Sequence, residues 1–352
     1  MITKRTSILS RSVIPYIRFP IFSFAIGALF MFSLSTIVSA KAPEKAKIVF
    51  VSKRDGNPEI YIMNPDGSDQ VNLSQHPAAD FDPAWAPTGK QIMFSSDRDG
   101  GVFDLYLMDA DGRNVQKVFK NSAYRRNPTW SPDGKQIVYT KGDPQKAKLH
   151  FGLQLIPLTH LTLYIATLNG DSIEKLTEGF VPNWSPESQE IAFVVGGLEH
   201  TPLGIFDLQA HIQKMLLLKE MPWIIHPSWS PQADKIAFTE IKKAGFDGQG
   251  FLSFEESVLY IANSDGTGLH QISKDKADFA SDPTWSPHGD ELIYTGLGRN
   301  GIELFKTDLN GGNPTQLTHE GSNSSPDWFD PALNVSPSGQ LLNTMWGQIK
   351  TN

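Results

Sequence analysis

The sequence predicts an all-β fold, a six-bladed β-propeller built from four-stranded antiparallel blades. One short motif, Pro-x-Trp-Ser-Pro, recurs along the chain, and its successive tryptophans lie 45, 54, 45, 56 and 43 residues apart. A repeat in the forties with four short strands per unit is typical of propeller blades. We expect the motif tryptophans to be structural, as apolar wedges between blades. They are Trp85, Trp130, Trp184, Trp229, Trp285 and Trp328.

The motif ends the innermost strand of each blade, strand a, and begins the turn into strand b. In Ser131-Pro132-Asp133-Gly134 the proline fixes φ at the second turn position and the glycine tolerates positive φ at the fourth. Strand b then follows as an apolar run without polar alternation, which is typical of strands covered on both faces. Its clear copies are residues 92–94, 137–139, 191–193, 236–238 and 292–294.

Strand c and the turn after it complete the pattern. Leu-Tyr-Ile type segments precede Asp-Gly or Asn-Gly dipeptides, which are hairpin signals leading into strand d. Residues 207–211 lack this glycine, so the signal for an outer hairpin is weaker in that blade. Aspartate before glycine is explained by turn sterics, and no turn has the spaced carboxylates of a calcium loop.

The two ends of the repeat region supply complementary parts of one blade. Residues 47–51, 59–62 and 70–73 provide strands b, c and d, and residues 326–328 provide only strand a. We therefore predict that pairing of the N- and C-terminal strands closes the ring. An alternative stays open, because residues 336–346 also imitate the turn and strand b. We favour the N-terminal strand, with a C-terminal tail over 331–352 and the propeller over 47–330.

Residues 1–40 have the features of a targeting segment. Residues 1–18 contain four basic residues and no acid, and residues 19–40 are uncharged and mostly apolar, ending in Val38-Ser39-Ala40. This pattern predicts a signal peptide cleaved after Ala40, and hence a periplasmic or otherwise exported protein. The alternative is an uncleaved anchor, with residues 19–40 as a transmembrane helix in the inner membrane.

The composition narrows the function classes. The chain has no cysteine, which excludes disulfides, thiol catalysis and thiolate metal sites. Without residues 1–40 it would keep 27 basic and 38 acidic residues, a balance that disfavours nucleic acid as a partner. We predict no cofactor and no metal, and find no nucleophile in a strained elbow.

The predicted strand order places the b–c and d–a connections on one face. The b–c connection expands to residues 141–160 in one blade and 240–257 in another. Long loops on a repetitive scaffold commonly carry function, and aromatic and arginine side chains are enriched at protein-binding hot spots. The alternative is that these loops fold down over the propeller edge. The candidate partner-binding residues are Phe81, Tyr124, Arg125, Arg126, Phe151, Trp223, Phe251, Phe254 and Phe279.

A second candidate site is the residue directly before each Pro-x-Trp. Equivalent positions on six innermost strands must surround the central channel, and polar side chains there could bind a metal or a small polar ligand. The alternative is a polar ring around ordered water. The ring comprises Asp82, Asn127, His226, Asp282 and Ser325, interrupted by Val181.

The tandem motif, the apolar strand b, the Leu-Tyr-Ile strand c and the Asp-x-Asp-Gly turn together resemble the repeat of TolB-like six-bladed propellers. The resemblance covers about residues 47–330 and implies an exported propeller used as a binding module. TolB proteins carry an additional N-terminal α/β domain, which the short segment between Ala40 and the first strand is not expected to hold. The resemblance therefore does not name the partners.

Two functions remain open at this point. We favour an exported non-enzymatic scaffold that recognises a protein or a cell-envelope component through the b–c and d–a loop face. The alternative is a carbohydrate-active lyase or hydrolase with a metal-assisted site at the channel mouth, since similar propellers with histidine-lined channels act as polysaccharide lyases.

Overall fold

A computed structural model describes residues 40–333 except 151, 169, 198–199, 217–220, 222, 243, 247–251, 255, 274–278 and 313. The predictions for residues 1–39 and for most of the tail, including the alternative closing strand at 336–346, lie outside the described residues. Within the described ranges no helix has the length and apolarity needed to cross a membrane.

Six four-stranded antiparallel sheets make up the described part of the chain, as the sequence predicted. The first three strands in chain order are β1 (Lys47–Ser52), β2 (Glu59–Met63) and β3 (Val71–Asn72). Blade 2 follows as β4 (Asp80–Trp85), β5 (Gln91–Ser96), β6 (Asp104–Asp109) and β7 (Gln116–Lys117).

Blade 3 contains the first long b–c connection. Its strands are β8 (Tyr124–Trp130), β9 (Gln136–Gly142), β12 (Leu161–Thr167) and β13 (Ile173–Glu178). The connection folds into a hairpin, β10 (Lys148–His150) and β11 (Leu153–Leu155), flanked by 3₁₀ turns at Pro144–Lys146 and Leu158–His160. Blade 4 comprises β14 (Phe180–Trp184), β15 (Glu190–Val194), β16 (Leu203–Asp207) and β17 (Ile212–Met215).

Blade 5 contains the second long connection. Its strands are β18 (Ile224–Trp229), β19 (Lys235–Ile241), β22 (Ser257–Asn263) and β23 (His270–Gln271), with an inserted hairpin of β20 (Ala244–Phe246) and β21 (Leu252–Phe254). Blade 6 comprises β24 (Ala280–Trp285), β25 (Glu291–Gly298), β26 (Gly301–Asp308) and β27 (Thr315–Gln316).

The remaining blade, blade 1, combines strands from distant parts of the chain. Strand β28 (Asn323–Phe329), followed by a 3₁₀ turn at Pro331–Leu333, pairs antiparallel with β1 and serves as strand a for β1–β3. Beside this pairing, the backbone N–H of Lys53 donates to the carbonyl of Ser322 over 3.0 Å. Blade 1 is therefore held together across almost the whole length of the described chain.

The b and c strands form the core and the d strands form the outer edge. Strand β5 is buried from Ile92 to Ser96, whereas every residue of β17 is exposed. Apolar side chains of neighbouring blades pack into shared clusters, such as Ile48 and Phe50 of blade 1 with Ile293 and Leu304 of blade 6. Burial between blades explains why the b strands show no polar alternation.

The repeated motif links each blade to the next. The indole N–H of Trp130 donates to the carbonyl of Ala84 over 3.2 Å, and that of Trp285 donates to the carbonyl of Ser228 over 3.0 Å. The backbone N–H of Trp229 donates to the Asn183 side chain over 2.8 Å. The tryptophans on β4, β8, β14, β18 and β24 are buried, and Trp328 is half-buried.

The outer c–d turns also contact the preceding blade. Gly67, Gly112 and Gly311 have positive φ, and a Cβ on each would lie 2.4, 2.5 and 1.9 Å from a carbonyl oxygen of the neighbouring d strand. Only glycine fits such an approach. In blade 4 the equivalent residue is Ala210, and the positive φ falls on His211 instead. The hairpin of β16 and β17 nevertheless forms.

Candidate functional site

A repeated backbone irregularity builds the channel ring. The six residues before each Pro-x-Trp all have φ between 49° and 52°, and the pairing of strands a and b shifts register there in every blade. Such bulges re-aim side chains, and aspartate and asparagine tolerate positive φ better than most residues. Val181 adopts the same conformation although β-branched residues do so with strain.

These ring residues line a channel cavity of about 300 Å³, together with the residues of the Pro-x-Trp motifs that follow them. The ring residues in the cavity wall are Asp82, Asn127, Val181, His226, Asp282 and Ser325. The structure thus brings together the residues that the sequence placed around one axis.

One ion pair lies between blades 2 and 3. The Arg126 Nε donates to Asp82 Oδ2 over 2.9 Å, and a second guanidinium nitrogen donates to Asp82 Oδ1 over 3.0 Å. Ser95 Oγ also donates to this carboxylate, over 2.8 Å. The guanidinium carbon lies 5.0 Å from the ring centre of Phe81 and 4.8 Å from that of Phe103. A bidentate pair on an aromatic support is well oriented and rigid.

A second pair connects blades 5 and 6. His226 Nδ1 lies 2.8 Å from Asp282 Oδ1 and 3.0 Å from Ser281 Oγ, and Thr295 Oγ1 donates to Asp282 Oδ2 over 3.1 Å. Burial lowers the pKa of His226, but the charge and hydrogen bond of Asp282 outweigh it, so the pKa is raised. Burial raises the pKa of Asp282, and the His226 charge reverses this, so the pKa is lowered. Both shifts favour the charged pair.

A third carboxylate, Asp327, lies on β28 and lines the same cavity. Its Oδ2 accepts from the Trp85 backbone N–H over 2.6 Å, and its Oδ1 accepts from the Trp328 backbone N–H over 3.0 Å. Burial raises the pKa of Asp327 to about 6, because these two N–H groups compensate the lost hydration only partly. Sequence reasoning missed this residue. The sequence does contain a signal for it: Asp327 is the middle residue of its Pro-x-Trp motif, a position occupied by Thr129 and Asn183 in blades 3 and 4.

The first inserted hairpin packs onto the propeller. Ile156 is buried in a cluster with Phe103, Tyr124 and Phe180, and Leu153 and Leu155 pack against it. Strand β11 also contacts the b–c loop of blade 2 through an isolated bridge between Val102 and Gln154. The base of this insert therefore folds down over the propeller, whereas its exposed side carries Leu149, which is 62% exposed.

The candidate partner-binding residues occupy several environments. Tyr124 and Arg125 are buried, and Arg125 donates to Asp104 over 2.8 Å. Arg126 pairs with the channel residue Asp82, and Phe81, beside the Arg126 guanidinium, is half-buried.

Trp223 and Phe279 are also half-buried. Phe254 is in β21, and Phe151 and Phe251 lie outside the described residues. Sequence reasoning missed the pairing of Arg126 with Asp82, because the bulge that turns both side chains together has no composition signal of its own.

Metal-ligating groups do not cluster in the part of the chain that the structure describes, where no three or more His, Asp or Glu side chains are arranged to hold an ion. The channel wall offers hydrogen-bonding groups: the His226–Asp282 ion pair, the Asp82 carboxylate, and several hydroxyl and amide side chains. Val181 is the apolar member of the ring. Such a site suits recognition of a polar group by geometry.

Six four-stranded sheets around a polar channel define a six-bladed β-propeller. Residues 25–162 match the family model described as the TolB beta propeller domain. The TolB structure from Acinetobacter baumannii superposes with a TM-score of 0.65 at 17% identity, over 80% of this chain and 66% of that one. The chain therefore has the six-bladed propeller fold, and residues 25–162 are similar to the TolB beta propeller domain.

The curated relatives are similar to this chain over only part of their own length. Dipeptidyl-peptidase 5 from Porphyromonas gingivalis is 28% identical over 271 residues, which is 74% of this chain and 36% of that protein. The Tol-Pal system protein TolB of Geobacter sulfurreducens is 32% identical over 59 residues, or 17% of this chain and 14% of that protein. The chain thus spans about a third or less of these relatives.

Proposed function

We propose that this protein is an exported binding scaffold whose b–c and d–a face recognises a protein or another cell-envelope component. The observation that carries the proposal is the inserted hairpin of β10 and β11. It is anchored by buried Ile156, yet it presents Leu149 to solvent. An exposed apolar side chain on a fixed support loses little conformational freedom on binding, and that favours affinity.

The channel supplies a second element of the same surface. The His226–Asp282 pair and the Asp82 carboxylate, which Arg126 orients, place fixed polar groups in the channel cavity. Phe103, which packs against the Arg126 guanidinium, belongs to the cluster under the hairpin. An apolar contact beside a pre-oriented polar site is a common composition of protein-binding surfaces. The similarity to the Tol-Pal system protein TolB supports an envelope partner without naming it.

Site-specific photocrosslinking tests the proposed face. A photoreactive amino acid replaces Leu149 in one variant and Leu269, which is 43% exposed near the outer strand β23, in a matched control. We expect a reproducible crosslink to one envelope component from position 149 and not from position 269. Equal crosslinking from both positions, or none from position 149, would argue against recognition through this face.

Export has its own test. We propose that residues 1–40 direct the chain out of the cytoplasm, on the basis of the basic and apolar pattern described above. Amino-terminal sequencing of the protein purified from its native host would then begin at Lys41. An intact Met1 on membrane-bound protein would favour the anchor alternative.

A second candidate function is supported by the His226–Asp282 pair. A carboxylate on Nδ1 fixes the imidazole orientation and leaves Nε2 as the other functional nitrogen, an arrangement that also serves general acid–base chemistry. A carbohydrate-active lyase or hydrolase at the channel mouth would use it. Release of new sugar ends from a polysaccharide panel, abolished by His226→Gln, would favour this candidate over the scaffold.

A further inference from the structure

The seam between blades 3 and 4 differs from the others at its outer turn. Equivalent c–d pairs, such as Ile62 with Val71 and Ile205 with Lys214, show that the turn has the same length in every blade. Five blades have glycine with positive φ at the equivalent position, namely Gly67, Gly112, Gly170, Gly266 and Gly311. Blade 4 has Ala210.

A cavity accompanies this difference at the seam. Three of the glycine turns lie directly against backbone of the preceding blade, as the 2.4 Å approach at Gly67 illustrates. A Cβ on Gly170 or Gly266 would instead meet only a side chain, at 3.3 and 3.2 Å. With alanine the turn places its positive φ one residue later, on His211. A cavity of about 370 Å³ lies here, lined by Leu176 of β13 on one side and by Leu208 and His211 of the blade 4 turn on the other.

The floor of the cavity is apolar. Ile165, Leu176, Trp184 and Leu208 line it, and Ile165 and Trp184 belong to the buried cluster between the two blades. A floor of this kind suits an aliphatic or aromatic body. The volume is within the range that proteins use for small ligands, about 300–1,000 Å³.

The rim is acidic. Asp133 and Glu174 line the cavity, and none of the described lining residues is lysine or arginine. Lys135, which is not in the lining, pairs with Asp133 over 3.5 Å, so Glu174 contributes most of the rim's negative charge. The only lining side chain that can become cationic is His211, whose Nδ1 lies 3.6 Å from Glu174 Oε1. Two carboxylates near an apolar floor attract a positive charge and disfavour a negative one.

We propose that this seam cavity binds a small organic cation, an ammonium group carried on an apolar body. The apolar body contacts Ile165, Leu176 and Leu208, and the ammonium group lies beside Glu174 and Asp133. The site is on the face of the a–b and c–d turns, opposite the inserted hairpins, so it is independent of the scaffold function proposed above.

Three probes of nearly equal size and different charge test the proposal on the full chain by NMR titration. They are 2-phenylethylammonium, 2-phenylethanol and 3-phenylpropionate. We expect saturable binding of the ammonium probe, with shifts at Trp184 and Leu208, about tenfold tighter than the carboxylate probe because of the two rim charges. The neutral alcohol should fall between them.

Two variants distinguish the effect of the rim charges on probe binding from the effect of the cavity volume. Glu174→Gln with Asp133→Asn should bring the ammonium probe to within about twofold of the alcohol, since only the charge attraction is removed. Ser172→Tyr, which fills the cavity from its exposed edge, should weaken all three probes. Glu320→Gln, outside the cavity, is the matched control and should change nothing.

Three results would overturn the proposal. These are no saturable binding by any probe, binding of the carboxylate as tight as that of the ammonium, and an ammonium affinity unchanged in the double charge variant. Because the charge variant removes no buried side chain, it should fold even where Ser172→Tyr does not, and a circular dichroism melt of each variant verifies this.

Discussion

Two seams of the propeller show opposite solutions to the same packing problem. Between blades 6 and 1, Gly67 lies against the Leu317 carbonyl, and the cluster around Ile48 and Phe50 is fully buried. Between blades 3 and 4, Ala210 replaces the glycine and a cavity of about 370 Å³ remains. The same turn position is thus in close backbone contact at one seam and stands beside an open cavity at the other, while the four-stranded blades on either side stay intact.

The largest expected effect comes from placing alanine in the closed seam. Gly67→Ala should lower the free energy of unfolding by about 2–4 kcal/mol, because its Cβ would lie 2.4 Å from a backbone oxygen at a positive φ. The matched variant Ala210→Gly should change it by about 1 kcal/mol or less. Urea unfolding measures both, and equal effects at the two turns would contradict the comparison.

The next effect concerns the polar contacts that join β28 to its neighbours. Asn323 Nδ2 donates to buried Glu303 Oε2 over 2.8 Å, and Asn323 Oδ1 accepts from Arg54 over 3.3 Å. Asn323→Ala should therefore cost about 2–3 kcal/mol, since it leaves a buried carboxylate less compensated. Asn310→Ala, in the exposed turn of blade 6, is the control. A loss below about 1 kcal/mol at Asn323 would show that these contacts are dispensable.

A pH-dependent effect is expected at Asp327. Its pKa of about 6 in the folded protein exceeds the ordinary value of 3.8, so the folded state binds the proton more tightly and stability falls as pH rises from about 4 to 6. Asp327→Asn removes this proton linkage but leaves one of the two backbone N–H groups without its acceptor. The stability of the variant relative to the unchanged protein should therefore be about 1–2 kcal/mol more favourable at pH 8 than at pH 4. Thermal melts across pH measure this. A gain of equal size at both pH values would exclude proton linkage as its cause.

The smallest expected effect concerns Val181, on the inner strand of blade 4. Its φ of 49° is strained for a β-branched residue, and Asn127 has nearly the same φ in blade 3. Val181→Asn should stabilise the protein by about 0.5–1 kcal/mol, and the reverse change Asn127→Val should destabilise it by a similar amount. Chemical unfolding tests both, and effects of the same sign would show that backbone strain is not the cause.

Sequence reasoning predicted the fold well, because the propeller is encoded by local signals. The Pro-x-Trp motif, the apolar b strands and the Asp-Gly turns each specify an element without long-range information. The outer hairpin of blade 4 formed without its glycine because the pairing of β16 with β17, from Asp207 to Ile212, does not require one. Tertiary pairing there replaces the missing local signal.

The candidate site was predictable only in outline. The ring positions followed from the repeat, and the structure places all of them around one cavity. The pairing of Arg126 with Asp82 and the two N–H contacts of Asp327 depend on a positive-φ bulge and on contacts between blades distant in sequence. Neither the bulge nor the contacts between blades can be deduced from the pattern of residue types alone.

The order of the strands in blade 1 sets a sequence of events for assembly. Strand β28 leaves a ribosome or a translocation pore after every other described strand, yet β1 needs it as a neighbour. Until β28 has emerged, one edge of β1 is unpaired. Because the pairing of β1 with β28 joins residues separated by almost the whole domain, it slows folding. Ring closure is therefore the last step, because blade 1 completes its structure only after its last strand has emerged.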